Sequence, residues 1–375
     1  MIKTDEEAIL LAVKILHAAD FHMDSPFDAL PGEKASLRRR EQRDMLKKIA
    51  QIVNDEGVQV VLLSGDLFDS DASYYDTGAS LIEALASMNA EVFISPGNHD
   101  YFCPKSPYSY LKFPENVHVF KTPIISSVTL NSLGVRVYGA GFASSDCPPL
   151  LDGFRAEEDG LINLMVLHGE LNGDRYNPVS ARSIAESRLN YLALGHVHSY
   201  SGIGVLSGVA YAYPGCPEGR GFDETGEKGV ILGTVTNTSI DLHFRPLGGR
   251  QYKIYDLDVT GYNNLVTAVS EYLPKTGDKD NIVRVILRGL YSGTVNTDEL
   301  ASAVAGRFFH VTFRDETRFG SDIWDGCGED TLTGLFLLKM RKAYEAAQTG
   351  EEREKITMAV RYGLAALENR EEWRP

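Results

Sequence analysis

The sequence has 375 residues, a length that at ~100–200 residues per domain predicts two or three domains and enough interior for a sizeable core. Hydrophobic residues make up 43% and charged residues 24%, close to the globular average, which excludes disordered, collagen-like and coiled-coil classes. Lysine and arginine total 37 against 52 aspartates and glutamates, a net charge of −15, so contact with a polyanion needs a local patch or a bound cation.

Cys103, Cys147, Cys216 and Cys327 lie far apart without a C-x-x-C pair, which argues against a zinc ribbon or a disulfide framework and for a reducing compartment. The apolar run 8–13 is too short, and too acidic in front, for a signal peptide or a membrane span. A soluble cytoplasmic protein is expected.

Apolar runs bounded by Gly, Asp or Asn predict strands at 13–19, 58–63, 91–95, 135–140, 163–167, 191–194, 229–235 and 239–244. Between the early ones the period changes. Met45, Leu46, Ile49, Ile52 and Val53 fall at i, i+1, i+4, i+7 and i+8, one stripe of an amphipathic helix over 34–55, and 79–89 reads similarly. Strand and helix alternate up to residue 95, the α/β pattern, whereas strands and turns dominate to about 247. Pro246 followed by Gly248 and Gly249 marks a boundary. Beyond it, strand, helix, strand, helix and strand at 252–259, 263–273, 281–288, 297–305 and 308–313 predict a small α+β unit, and amphipathic helices are expected at 332–347 and 351–369. The domains are therefore drawn at 1–247, 250–320 and 326–375.

The residues able to do chemistry stand at the C-terminal ends of the predicted strands. Asp20 and His22 follow the first, Asp66 and Asp69 the second, Asn98, His99 and Asp100 the third, His168 and Glu170 the fifth, and His196 and His198 the sixth. A D-x-H or H-x-H alternation puts both side chains on one face of an extended segment, where two donors can converge on one metal. Mixed Asp, Asn and His donors without Cys suit manganese, iron or zinc and disfavour a thiolate site. Gly65, Gly97 and Gly195 permit tight turns just ahead of Asp66, Asn98 and His196. Singly, each motif is an ordinary turn or a hydrogen-bonded histidine; five of them after buried strands are hard to explain that way. His17, three residues before Asp20, falls on the opposite strand face and is expected to be structural. Residues 34–48 carry seven Lys and Arg against two acids, and Arg38, Arg39, Arg40 and Arg43 form either a DNA-contacting surface or a solvated helix face.

In this order, D-x-H, G-D-x-x-D, G-N-H-D, H-x-E and G-H-V-H resemble the calcineurin-like metallophosphoesterase superfamily. The stretch from Leu16 to Phe27, with Tyr213-Pro214-Gly215, Gly219-Arg220 and Glu227-Lys228-Gly229, is similar to bacterial DNA-repair exonucleases related to SbcD. These motifs cover residues 16–230, and Asp24 stands where many members of the wider nuclease family carry Gly. The resemblance implies an α/β sandwich of two mixed β-sheets flanked by helices, with an α+β cap domain beside the metal cleft and a helical C-terminal tail. It implies two divalent ions, manganese before iron or zinc. Asp20, His22, Asp66 and His198 would hold one and Asp66, Asn98, His168 and His196 the other, with Asp66 bridging. His99 would face the leaving oxygen as general acid and Asp69 would orient its ring.

The function implied is a two-metal DNA phosphodiesterase, exonuclease or endonuclease, in DNA repair, with an activated hydroxide attacking phosphorus in line. Sequence chemistry alone reaches only phosphoester hydrolysis, so a small-nucleotide phosphodiesterase or phosphatase and a non-catalytic metal-binding scaffold remain alternatives. The expected partners are DNA, an SbcC-like ABC-type ATPase on the C-terminal helices and a second copy of the chain, with no membrane.

Overall fold

In the computed structural model, residues 11–70, 73–171, 173–276, 278–291, 293–318, 324 and 326–367 are described. Residues 8–10 of the run 8–13 and the end of the helix expected at 351–369 lie outside them. Two units divide between residues 251 and 252. The first contains β1 (Ala12–Ala18), α1 (Gly32–Asp55), β2 (Val60–Leu63), α2 (Tyr75–Ala86), β3 (Glu91–Ile94), α3 (Pro107–Tyr110), β4 (Val117–Val119), β5 (Ser126–Leu130), β6 (Val135–Gly139), β7 (Ile162–His168), α4 (Ala181–Glu186), β8 (Tyr191–Gly195), β9 (Gly204–Leu206), β10 (Val209–Ala212), β11 (Gly229–Thr236) and β12 (Ile240–Pro246).

Two six-stranded sheets are formed, in the orders β12-β11-β1-β2-β3-β4 and β5-β6-β7-β8-β10-β9. Both are mixed. β1 to β4 are parallel in the first and β6, β7, β8 and β10 in the second, with antiparallel strands at the margins. The two-residue period of a strand decides which side chains meet. Val13, Ile15, Val60 and Leu62 face Val137, Leu164, Val166, Tyr191 and Ala193 between the sheets. Leu16, Val61, Leu63, Val92 and Ile94 point the other way, onto Leu46, Ile49 and Val53 of α1 and Leu81 and Leu85 of α2. Met165, Leu167, Leu192 and Leu194 do the same on the far side with Ile184 of α4. Each fully buried Val, Leu or Ile stabilises this arrangement by ~1.5–3 kcal/mol. The strands that sequence periodicity did not reveal, β4, β5, β9 and β10, are at or next to sheet edges and only three to five residues long.

His17 shares the inward parity of Val13 and Ile15 and is wholly buried. Its Nδ1 lies 2.8 Å from the Tyr191 hydroxyl and its Nε2 2.9 Å from Ser64 Oγ, which ties one sheet to the other. Burial lowers its pKa to about 3, against a backbone hydrogen bond at Leu194, so the ring is neutral near pH 7.

The second unit contains β13 (Tyr252–Asp258), α5 (Leu265–Tyr272), β14 (Ile282–Arg288), α6 (Thr297–Ala303), β15 (His310–Asp315), α7 (Leu332–Ala346) and α8 (Gly350–Leu367). Its three strands are parallel, in the order β13-β14-β15, with α5 and α6 in the crossovers. Side chains of Asn264, Asn296 and Thr331 accept the amides of Thr267, Glu299 and Gly334, capping α5, α6 and α7. The tail stripe expected from periodicity is only partly covered. Of the stripe Val360 is buried, while Leu332, Leu335, Leu338 and Leu367 are exposed; the buried leucine of α7 is Leu337, which the stripe did not include. Among the described residues no helix is long and apolar enough to cross a membrane.

Candidate metal centre

Five loops at the C-terminal ends of β1, β2, β3, β7 and β8 bring Asp20, His22, Asp66, Asn98, His168, His196 and His198 together, as the sequence reading expected. Ligating atoms of Asp20, His22 and His198 lie within 4.8 Å of one another, and so do those of Asp20, Asp66 and His168. Asp66 Oδ2 is 3.6 Å from His22 Nε2 and 3.4 Å from His168 Nε2, placing it between the two groups. Asn98 Oδ1 lies 2.9 Å from His168 Nε2 and 3.2 Å from His196 Nδ1. Close approach depends on absent side chains. A Cβ on Gly97 would meet the Asp66 carboxylate, and one on Gly195 would meet the Ser64 carbonyl.

Hydrogen bonds on the outer nitrogens fix which atoms face inward. A carboxylate or carbonyl can only accept, so His22 donates from Nδ1 to Asp69 at 3.1 Å and His168 from Nδ1 to the Ser64 carbonyl at 2.9 Å, and His198 donates from Nδ1 to Glu224 at 2.8 Å, the nearer of that nitrogen's two neighbours, with the Arg220 guanidinium at 3.1 Å. Each Nε2 is thereby left as a lone pair. The Nε2 atoms of His22 and His198 nevertheless stand only 3.2 Å apart, and the Asp66 carboxylate faces the Nε2 atoms of His22 and His168. Acceptors without a proton among them repel unless a cation lies between, so the donor set fits divalent ions.

The charges agree. Burial, and then the neighbouring Asp66, push the Asp20 carboxyl well above the usual range, against the opposing pull of the His196 amide and Arg220. Burial lowers His22 and His196 to about 4, which keeps both rings neutral at pH 7, the form that ligates metal. Asp100 accepts the amides of Gly97 at 2.7 Å and Leu67 at 2.8 Å and the Tyr108 hydroxyl at 2.5 Å, fixing the Asp66 and Asn98 loops to one another.

Two expectations require correction. His99 does not take its orientation from the Asp69 carboxylate: its Nδ1 lies 3.2 Å from the Asp69 main-chain carbonyl, while that carboxylate binds His22 and, at 3.2 Å, Arg220. Arg38 cannot contact DNA, because it is wholly buried, paired with Glu41 and Glu218 and donating to the Gly219 carbonyl. Arg39, Arg40 and Arg43 are partly or fully exposed.

Sequence reasoning noted Arg220 without giving it a role and passed over Glu224. The Arg220 guanidinium donates to Glu224 at 2.6 Å and to Asp69, and so joins the carboxylates that orient His198 and His22. Burial raises the Glu224 carboxyl, but the hydrogen bonds from His198 and Arg220 outweigh it and hold the group far below the usual carboxylate range. Glu224→Gln should therefore weaken metal binding at the His22–His198 side by about 10–100-fold, the usual cost of losing such an outer partner. Calorimetric titration with manganese reads the effect, and an unchanged affinity would contradict it.

The calcineurin-like phosphoesterase family model matches residues 13–200, half of the chain and every converging ligand candidate. The chain belongs to this family, whose members use a dinuclear metal site. Among its relatives, the uncharacterized metallophosphoesterase YhaO of Bacillus subtilis (strain 168) is 28% identical over 303 residues, 75% of this chain and 73% of its own length. The DNA double-strand break repair protein Mre11 of Methanopyrus kandleri is 24% identical over 228 residues, 55% of this chain and 49% of that protein. The SbcD component of the nuclease SbcCD of Bacillus subtilis is 26% identical over 133 residues, 34% of this chain and 31% of that protein.

Proposed function

We propose that this metal-dependent phosphoesterase is a DNA phosphodiesterase acting in repair, with two manganese ions as cofactors. The observation that carries the phosphoester chemistry is the convergence of acceptor-only atoms from Asp66, His22, His168 and His198. DNA as substrate is supported by the similarity to Mre11 and to the SbcD component of SbcCD. Two divalent ions held there would activate water and neutralise the charge of a phosphodiester.

The chain's own residues supply the rest. Asp20, His22, Asp66 and His198 would hold one ion and Asp66, Asn98, His168 and His196 the other. His99 is exposed at the rim, its backbone amide donating to Asp66 Oδ1 at 3.0 Å and its ring edge-on to His22 with centroids 4.7 Å apart. With Nδ1 committed to the Asp69 carbonyl, its imidazolium form can deliver a proton from Nε2 to a leaving oxygen. The partner in this reading is an SbcC-like ATPase, for which the exposed Leu332, Leu335 and Leu338 on α7 offer an apolar contact.

End-labelled single- and double-stranded DNA and a chromogenic phosphodiester, each incubated with the protein and manganese, test the reading. Chelator-sensitive shortening of the DNA is expected. Turnover of the small diester with DNA left intact would instead make the chain a small-nucleotide phosphodiesterase.

A further inference from the structure

We propose that a groove between the first half of α1 and the start of α2 binds a single-stranded segment of nucleic acid, its phosphates held by Arg39, Arg40 and Arg43 and its bases stacked on Tyr74 and Tyr75. This rests on the reading that the metal centre acts on DNA. The groove is lined by those five residues with Ser36 and a single acid, Asp76. In a chain of net charge −15, it gathers three arginines within five residues.

What the four-arginine run does is divided by the fold. Arg38 is neutralised inside the protein by Glu41 and Glu218. Its neighbours are not. Among the described residues Arg40 and Arg43 have no ion-pair partner, and Arg39 donates only to the Pro26 carbonyl at 2.9 Å and the Ser36 hydroxyl at 3.2 Å. Beside them Tyr74 is 65% and Tyr75 89% exposed, two consecutive aromatic rings left in water at a cost in hydrophobic free energy. Cations that follow a phosphate backbone, interleaved with rings on which unstacked bases lie, are what a single strand requires; a duplex keeps its base faces covered.

The groove joins the metal centre through one loop. Asp24 lies two residues beyond His22, with φ +71°, a left-handed position that Gly would adopt without strain. Its carboxylate accepts the Tyr74 amide at 2.8 Å and the Thr77 hydroxyl at 2.5 Å. Gly could make neither bond. The residue that departs from the wider nuclease family's pattern is thus the one that fastens the tyrosine segment to the ligand loop, while Arg39 holds the same loop at Pro26.

The test is fluorescence anisotropy of the full chain with a labelled oligothymidylate, in chelator so that nothing is cut, alongside manganese-supported hydrolysis of bis(p-nitrophenyl) phosphate. Arg40→Ala/Arg43→Ala should lower affinity about 10-fold or more and reduce the salt slope by about 1.4, as expected for two lost single-strand phosphate contacts. Tyr75→Ala should weaken binding about 5-fold or more, and Tyr75→Phe should retain it, because stacking needs the ring and not the hydroxyl. Diester turnover should stay at the unsubstituted level in all three variants, which also reports that they fold. If the unsubstituted chain binds and cuts DNA but the variants bind as it does, the groove proposal is overturned and the reading of the metal centre stands. Equal losses in Tyr75→Phe and Tyr75→Ala, or a loss in the arginine variant alone, overturn the single-strand assignment. Diester turnover without any binding or cleavage of DNA removes the substrate reading itself, and the groove proposal with it.

Discussion

Asp66→Asn is expected to weaken metal binding at both positions and to abolish most phosphodiesterase activity, whereas His22→Ala should affect mainly one position. The geometry carries this difference. Asp66 Oδ2 lies within 3.6 Å of His22 Nε2 and 3.4 Å of His168 Nε2, so a single carboxylate serves both groups of donors. An amide keeps the shape and can still accept the His99 amide through its own oxygen, but it removes the negative charge that two dications would share. The chain should therefore remain folded while its ion content falls. Metal analysis of the purified protein, with manganese titrations of both variants, reads the outcome. Fully loaded unsubstituted protein containing one ion, with undiminished activity, would sink the two-metal arrangement.

His99→Ala should retain metal and lose about 10²–10⁴-fold in turnover, the range typical of a positioned general acid. Among the described residues the imidazole's hydrogen bond is from Nδ1 to a main-chain carbonyl, and its ring meets His22 only edge-on. Asp69→Asn should behave differently. Its carboxylate orients His22 and pairs with Arg220, so its loss should appear first in affinity at the His22 side and only secondarily in the chemical step. Equal metal loss in His99→Ala and His168→Ala would make His99 a ligand and overturn this division of roles.

The convergence of the ligand candidates was legible because strand periodicity and local spacing act over a few residues. Each of Asp20, Asp66, Asn98, His168 and His196 lies within four residues of the end of a strand, and the parity that buries Val13, Leu62 and Leu164 fixes where those ends converge. The partners that aim the ligands were not legible in the same way. Glu224 reaches His198 across 26 residues, and Arg220 reaches Asp69 across 151, and neither contact follows from a period or a turn. Arg38 shows the opposite failure. Its charged neighbours suggested a solvent face, but the helix stripe that buries Ala35, Gln42 and Met45 also takes in Arg38, where Glu218 meets it. Asp69 was correctly placed near His99, yet residue type suggested its side chain where the main-chain carbonyl makes the contact.

Four of the seven ligand candidates, Asp20, His22, Asp66 and His196, have φ between +43° and +113°, backbone that residues with a side chain seldom adopt. Positions of this kind cost of order 1–3 kcal/mol each and persist only where the surroundings over-determine them. Here the surroundings are strand ends and hydrogen bonds such as Asp20 N to the Gly65 carbonyl at 3.0 Å and His22 N to the Asp66 carbonyl at 2.9 Å, which belong to the polypeptide itself. The polypeptide's own hydrogen bonds therefore help to hold these loops in shape. For anyone diversifying this scaffold, the accessible alphabet at those four sites is set first by conformation: Val, Ile and Thr are closed off whatever their chemistry, Asn and Gly are open, and a library that trades ligands for stability will drift toward glycine.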